Sequence, residues 1–211
     1  MTPNDTLRER MIAKHLRARD IKDPRVLDAF ARVPRHEFVP FAMLDHAYDD
    51  APLPIGNGQT ISQPYVVAVT VQALKLVGNE RVLEIGTGSG YAAAILGQLA
   101  REVETVERIG ELATTASTRL AKLGYTNVHV HHGDGTLGWA AHAPYDAIAV
   151  AAGTPGVPEA LRTQLVDGGR LVLPTGPSEM QRLVRITRRG ETFDEEDLGE
   201  VRFVPLLPGT L

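Results

Sequence analysis

Cysteine is absent from all 211 residues, which removes disulfides, thiolate metal ligands and cysteine nucleophiles together. A basic excess is missing too. The 26 acidic residues outnumber the 22 Lys and Arg, leaving a formal net charge of −4. A nucleic-acid binder usually presents a basic face, and nothing of that kind is visible here. No apolar run approaches the roughly 18 residues of a membrane span. Residues 1–10 lack the charged-then-apolar plan of a secretory signal, so the expectation is a cytoplasmic protein with no membrane and no nucleic-acid partner. Internal repeats, low-complexity segments and flexible linkers are also lacking. With 43% hydrophobic residues, a chain of this length is expected to bury one sizeable core and to form a single domain, as a monomer.

What is present begins with helix signals. Leu7, Met11, Ile12, His15 and Leu16 share one helical face, predicting an amphipathic helix over 6–19. Asp23-Pro24 reads as an N-cap followed by proline at the first helical position, opening a helix with Val26, Leu27 and Phe30. Val33-Pro34 should end it, since the residue before proline avoids the α region. His36, Phe38, Phe41 and Tyr48 lie in a segment of little periodicity, expected to be a loop packed on the domain. Residues 51–64, dense in Pro, Gly and polar residues, read as a long functional loop. A buried helix over 64–76 should follow.

From Arg81 the pattern alternates strand and helix. Strands are expected at 81–85, 102–106, 128–131, 146–151 and 170–174. Helices are expected after Gly90, over 111–122 with Gly124 as C-cap, and from Pro158 to Gln164. Such βα units with right-handed crossovers give a doubly wound α/β fold, Rossmann-like, with a mostly parallel sheet. Residues 182–188 and 201–206 read as a terminal antiparallel strand pair, separated by a turn and an acidic stretch.

The organising stretch is Val82-Leu83-Glu84-Ile85-Gly86-Thr87-Gly88-Ser89-Gly90-Tyr91. A strand that feeds a helix through a Gly-rich turn lets backbone N–H groups approach a ligand closely. Dinucleotide enzymes use G-x-G-x-x-G for this purpose. Here the spacing is G-x-G-x-G, and Glu84 precedes the first glycine by two residues. A carboxylate aimed at the ligand repels phosphates and suits a cation, which points to S-adenosylmethionine (SAM), with its ammonium and sulfonium groups. Three alternate glycines are also compatible with a merely close-packed turn.

Other residues fall at expected strand ends, where ligands of such sheets sit. Glu107 lies where a ribose-binding acid is expected, with a solvated strand-end acid paired with Arg108 as the alternative. Asp134, between Gly133 and Gly135, is either an ordinary turn residue or an acceptor for an adenine amino group. His129, His131 and His132 attract attention as metal ligands. Strand alternation puts only His129 and His131 on one face, short of the three or four ligands zinc requires, so no metal is expected. Ser62 reads either as an N-cap for the helix opened by Pro64 or as a hydroxyl that orients a substrate carboxylate. No G-x-S-x-G elbow surrounds it, so a nucleophilic serine is not indicated.

Together these residues resemble the protein-L-isoaspartate (D-aspartate) O-methyltransferase family. The resemblance is carried by Arg35-His36-Glu37-Phe38-Val39-Pro40, Pro52-Leu53-Pro54-Ile55-Gly56, Gly58-Gln59-Thr60-Ile61-Ser62-Gln63-Pro64, the glycine turn, Gly133-Asp134-Gly135, Ala143-Pro144-Tyr145-Asp146 and Arg202-Phe203-Val204-Pro205-Leu206. It implies methyl transfer from SAM to the α-carboxylate of L-isoaspartyl residues in damaged proteins and peptides, initiating repair through a succinimide, with S-adenosylhomocysteine as product. It also implies roles. Ser62 would be the active-site hydroxyl, with Thr60 and Ile61 walling the site. Glu84, Gly86, Gly88 and Gly90 would hold the methionine end of SAM, Glu107 the ribose, and Asp134 and Gly135 the adenine. Val204, Pro205 and Leu206 would pair with substrate main chain. On this view residues 1–80 are a helical and loop extension packed on the sheet, 81–174 the SAM-binding core and 175–211 the C-terminal strands. Leu207 departs from the hydroxyl residue that relatives often carry, which puts contacts beyond Leu206 in doubt. Three alternatives remain: methylation of a normal aspartate in a ribosomal peptide, an NAD-dependent oxidoreductase, and a non-catalytic binding module.

Overall fold

The computed structural model describes residues 2–211. Helix α1, Pro3–Met11, starts earlier than its apolar stripe predicts, because Thr2 and Asp5 form a reciprocal capping box that sets its first turn. It continues as a wider π-type turn over Ile12–Arg17, which turns Ile12 and Leu16 inward. Helix α2, Pro24–Arg32, is capped by the Asp23 side chain and stops at Val33, as the Asp-Pro and Val-Pro pairs require. Two 3₁₀ turns follow. Phe38 and Tyr48 are buried there, but Phe41 is 90% exposed and does not pack as expected. Arg35 is buried instead. Its guanidinium donates to the carbonyls of Ala47 and Ala51 and so ties these turns together.

The expected long loop over 51–64 contains a short hairpin, β1 Leu53–Gly56 and β2 Gln59–Ile61. Its turn uses positive φ at Gly56, Asn57 and Gly58, and the strands are too short to show a period of two in the sequence. Helix α3, Pro64–Ala73, then buries Val67, Ala68 and Val71.

The main sheet is built from β3 Arg81–Ile85, β4 Glu102–Glu107, β5 Val128–His132, β6 Tyr145–Val150, β7 Leu165–Thr175, β8 Gln181–Arg189 and β9 Thr192–Val201. Its order is β5-β4-β3-β6-β7-β8-β9. The pairs from β5 to β7 are parallel, and β7–β8 and β8–β9 are antiparallel. Helices α4 Tyr91–Gly97, α5 Gly110–Lys122 and α6 Glu159–Thr163 connect the parallel strands. Alternation divides each central strand between two cores. Val82, Val103, Ala147 and Val172 face the N-terminal helices and α4, whereas Leu83, Val106, Ile148 and Leu171 face the α6 side. The chain leaves β3 toward β4 on one side and returns to β6 on the other, so the strand order switches direction at β3. A crevice is expected beyond the carboxyl ends at that point.

The terminal antiparallel pair is present, with a different second strand. The acidic stretch itself forms β9, and residues 202–206 lie outside it. Cross-strand ion pairs explain the difference: Arg182 with Asp197, Arg185 with Glu196 and Arg189 with Asp194. Opposite charges facing each other across an antiparallel pair make a polar edge strand favourable.

Candidate active site

A cleft of about 1120 Å³, counting its open mouth, lies at that switch point. Its walls come from the hairpin and the residues after it (Thr60, Ile61, Ser62), the glycine turn (Gly86, Gly88), the end of β4 (Glu107), the residue after Asp134 (Gly135) and the C-terminal tail (Val204, Pro205, Leu206, Leu207). Segments far apart in sequence thus converge on one cavity. Leu207 is part of it.

The turn is held open by backbone geometry. Gly86, Gly88 and Gly90 all have positive φ, a conformation costly for residues with a Cβ. Gly86 and Gly88 line the cleft, but Gly90 does not. A Cβ on Gly90 would press on Leu120 at 3.3 Å, so that glycine serves close packing of the turn on α5. Gly135 has a similar constraint, since a Cβ there would meet the Ile85 side chain at 2.4 Å.

Glu107 is buried and is not paired with Arg108 through its carboxylate. One oxygen accepts from the Gly88 N–H at 2.9 Å and the other from the Ile109 N–H at 3.0 Å. Each oxygen retains a lone pair for a second donor from the cleft. Asp134 is placed differently. Its carboxylate accepts from the Thr136 N–H and hydroxyl and from the Gly209 N–H, and it stands behind the cleft wall that Gly135 forms. Burial opposes ionisation of Asp134, but these donors and Arg108 hold its carboxyl below the usual range.

Glu84 sits in the sheet interior and lines a smaller cavity that shares Ser62, Val67, Ala92 and Ala151 with the cleft. Thr105 Oγ1 donates to Glu84 Oε2 at 2.5 Å and also bonds to Thr87. Glu84 Oε1 is buried with no partner. Desolvation pushes this carboxyl up to about 8, against the Thr105 hydrogen bond and with a further push from the Glu107 charge. An unpartnered acidic oxygen beside an open cavity suits a cationic donor such as an ammonium.

Ser62 does not cap α3. The N-cap residue is Gln63, and it makes no side-chain cap bond. Asp50 supplies the missing acceptor from a distant turn, bonding the Tyr65 N–H at 3.1 Å and the Gln63 side chain at 2.9 Å. Ser62 therefore lines both cavities without a capping duty. Nothing local to residues 62–65 signals Asp50, so this arrangement is invisible to capping rules read along the chain. The apolar wall residues Ile85, Val106 and Ile109 are likewise invisible in the sequence, because apolar strand ends carry no distinguishing pattern.

The tail residues run beside Gly153. Gly153 donates to the Val204 carbonyl and accepts from the Leu206 N–H, both at 2.8 Å. In an extended chain the intervening Pro205 carbonyl and the Leu207 N–H point the opposite way. Among the described residues, neither takes a protein partner.

The family model for protein-L-isoaspartate(D-aspartate) O-methyltransferase matches residues 6–210. The chain belongs to this family. A protein-L-isoaspartate O-methyltransferase 1 of Rhodopseudomonas palustris (strain HaA2) is 59% identical over 202 residues, covering 95% of this chain and 82% of its own length. A solved protein-L-isoaspartate O-methyltransferase matches with a TM-score of 0.86 at 31% identity. That match covers 94% of this chain and 65% of the other, so this chain spans just under two thirds of that protein. A Plasmodium falciparum protein solved with S-adenosyl-L-homocysteine matches with a TM-score of 0.83 over 98% of this chain and 99% of its own, and at 24% identity it speaks for the fold. No described helix is long and apolar enough to cross a membrane.

The raised Glu84 carboxyl makes stability depend on pH. Its ordinary value is 4.5 and its folded value about 8, so between these the folded chain holds a proton that the unfolded chain releases. Stability from this group therefore falls as pH rises through that interval. Urea unfolding between about pH 5 and 8 should show the wild type losing stability relative to Glu84→Gln as pH increases. Parallel curves for the two proteins would assign the titration elsewhere.

Proposed function

We infer that the cleft binds S-adenosylmethionine and that the enzyme methylates the α-carboxylate of L-isoaspartyl residues in damaged proteins and peptides, the activity that names its family. The observation that carries the cofactor reading is the orphaned, buried Glu84 oxygen beside the cleft that the glycine turn lines. When bound, SAM supplies an electrophilic methyl group on a sulfonium. Glu84 and the backbone around Gly86 and Gly88 hold its amino-acid end, with Thr60 and Ile61 closing the wall above. Gly90 supports the turn from behind. Glu107 accepts from the ribose hydroxyls through the lone pairs left free by Gly88 and Ile109. Gly135 offers the flat approach an adenine needs, and Asp134 supports it indirectly through the Thr136 turn.

The acceptor needs no general base, because a carboxylate is already ionised at neutral pH. Catalysis then rests on position and on exclusion of water. Ser62 donates a hydrogen bond that orients the substrate carboxylate. The outward Pro205 carbonyl and Leu207 N–H, held in line by the Gly153 pairing of Val204 and Leu206, bond substrate main chain. Main-chain pairing of this kind tolerates varied flanking sequence, as repair of randomly placed damage requires. The backbone N–H that follows attacks the methyl ester, closing a succinimide and releasing methanol without enzymatic help, and hydrolysis returns part of the succinimide to normal aspartate.

Methyl incorporation into an isoaspartyl peptide, run beside its normal-aspartyl twin, tests the acceptor. Strong labelling of the first alone is expected, and preference for the twin would favour peptide maturation. Ser62→Ala should lower kcat far more than SAM affinity while leaving stability within about 0.5 kcal/mol, since the hydroxyl caps nothing. A loss confined to stability would remove Ser62 from the chemistry. Glu107→Ala should weaken SAM binding by about 1–3 kcal/mol through lost charge-assisted bonds. Unchanged calorimetric affinity would show that Glu107 only braces the turn.

A further inference from the structure

On the opposite face of the sheet from Glu84, the side chain of Glu104 is entirely buried in mid-β4. Each of its oxygens meets a histidine. Oε2 is 2.5 Å from His131 Nε2 on β5, and Oε1 is 2.5 Å from His142 Nδ1 at the end of the short turn Ala140–His142. Three chain segments thus place two imidazoles and one carboxylate together, with their ligand atoms all within 4.8 Å of one another. His142 comes from outside the strand, which is why alternation along β5 does not reveal the set.

We propose that Glu104, His131 and His142 form a binding site for one divalent cation of the zinc class. Two nitrogen donors and one carboxylate are a donor set that zinc accepts, and sites with three protein ligands leave a fourth position for water. The side chain of His142 is 47% exposed, so the open position faces solvent and the ion has a path in. Ligand atoms on a tetrahedral zinc with bonds of about 2.0–2.2 Å stand roughly 3.3–3.6 Å apart, so the two short contacts must open by about 1 Å. The ion takes the ring nitrogens that now face the carboxylate, so each neutral imidazole carries its proton on its other nitrogen, His131 on Nδ1 and His142 on Nε2.

The supporting groups hold the ligands from behind. The His131 ring stacks on Trp139 with centroids 4.2 Å apart and planes 19° from parallel. Arg81 donates to the His142 carbonyl at 3.1 Å, anchoring that turn to the start of β3. Glu102 and His129 lie on the same face beside Glu104, and the Glu102 carboxylate adds negative potential. Glu102 is already bonded by Arg81 at 3.0 Å, so the His129 grouping is the weaker ligand set. Because Trp139 also packs toward Gly133, an ion here would fasten the edge strand to the loop that leads into the cleft.

The full chain is stripped with a chelator, returned to chelator-free buffer near neutral pH and titrated with zinc chloride by calorimetry. One zinc per chain is expected, with a raised Tm. His142→Ala and His131→Ala should each reduce affinity by at least the roughly 10–100-fold that outer-shell changes cost at known sites. His142→Ala alters a half-exposed turn residue, and cooperative urea unfolding verifies its fold. His129→Ala should bind as the wild type does. Absence of saturable one-to-one binding, wild-type affinity in His142→Ala, or equal loss in His129→Ala would each overturn the proposal.

Discussion

The buried carboxylate of Glu107 is the constraint on which the cleft depends. Parallel pairing of β3 with β4 brings the ends of both strands level, with Ile85 opposite Val106. Beyond that point both chains must turn away, and each turn leaves an N–H without a strand partner. Glu107 accepts from one N–H in each turn, at Gly88 and Ile109. A single side chain therefore fixes the glycine turn relative to the start of α5. Removing it would leave two donors unsatisfied in a partly buried place, a cost of about 1–3 kcal/mol each.

Much of this was legible along the chain because its causes are local. The β3–turn–α4 unit follows from an apolar run, positive-φ glycines and an alanine-rich helix, and the Asp23-Pro24 and Val33-Pro34 pairs bracket α2 as capping rules require. Illegible parts have non-local causes. Strand β9 carries Asp194, Glu195, Glu196 and Asp197 in succession, which no propensity favours. It pairs because arginines of β8 face it. The hairpin of β1 and β2 hides among prolines and glycines because three or four residues per strand cannot show alternation.

Ser62 shows the same principle within the site. Read locally, a serine before Gln-Pro at a helix start is a cap. In the fold, Asp50 takes the amide of Tyr65 and leaves the hydroxyl for the cavities. Asp134 moves in the other direction. Its spacing suits a direct ligand contact, but Thr136 and Gly209 take up both oxygens, so it acts on the cleft through Gly135. Sequence position brought both residues to the site, and competition for hydrogen bonds divided their duties.

The two faces of the sheet handle buried acid in contrasting ways. Glu84 has one hydroxyl donor and an orphaned oxygen, so burial keeps it protonated to about pH 8. Glu104 is as deeply buried, yet imidazoles on both oxygens hold its carboxyl below the usual range despite desolvation. A carboxyl without a counter-charge stores the capacity to bind a cation from the cleft, because an incoming ammonium recovers the solvation that burial removed. A carboxylate already satisfied by histidines has spent that capacity on joining strands, and only an ion that displaces their protons can draw on it again. Strand alternation thus separates a ligand-responsive acid from a structural one while both remain in the same two neighbouring strands.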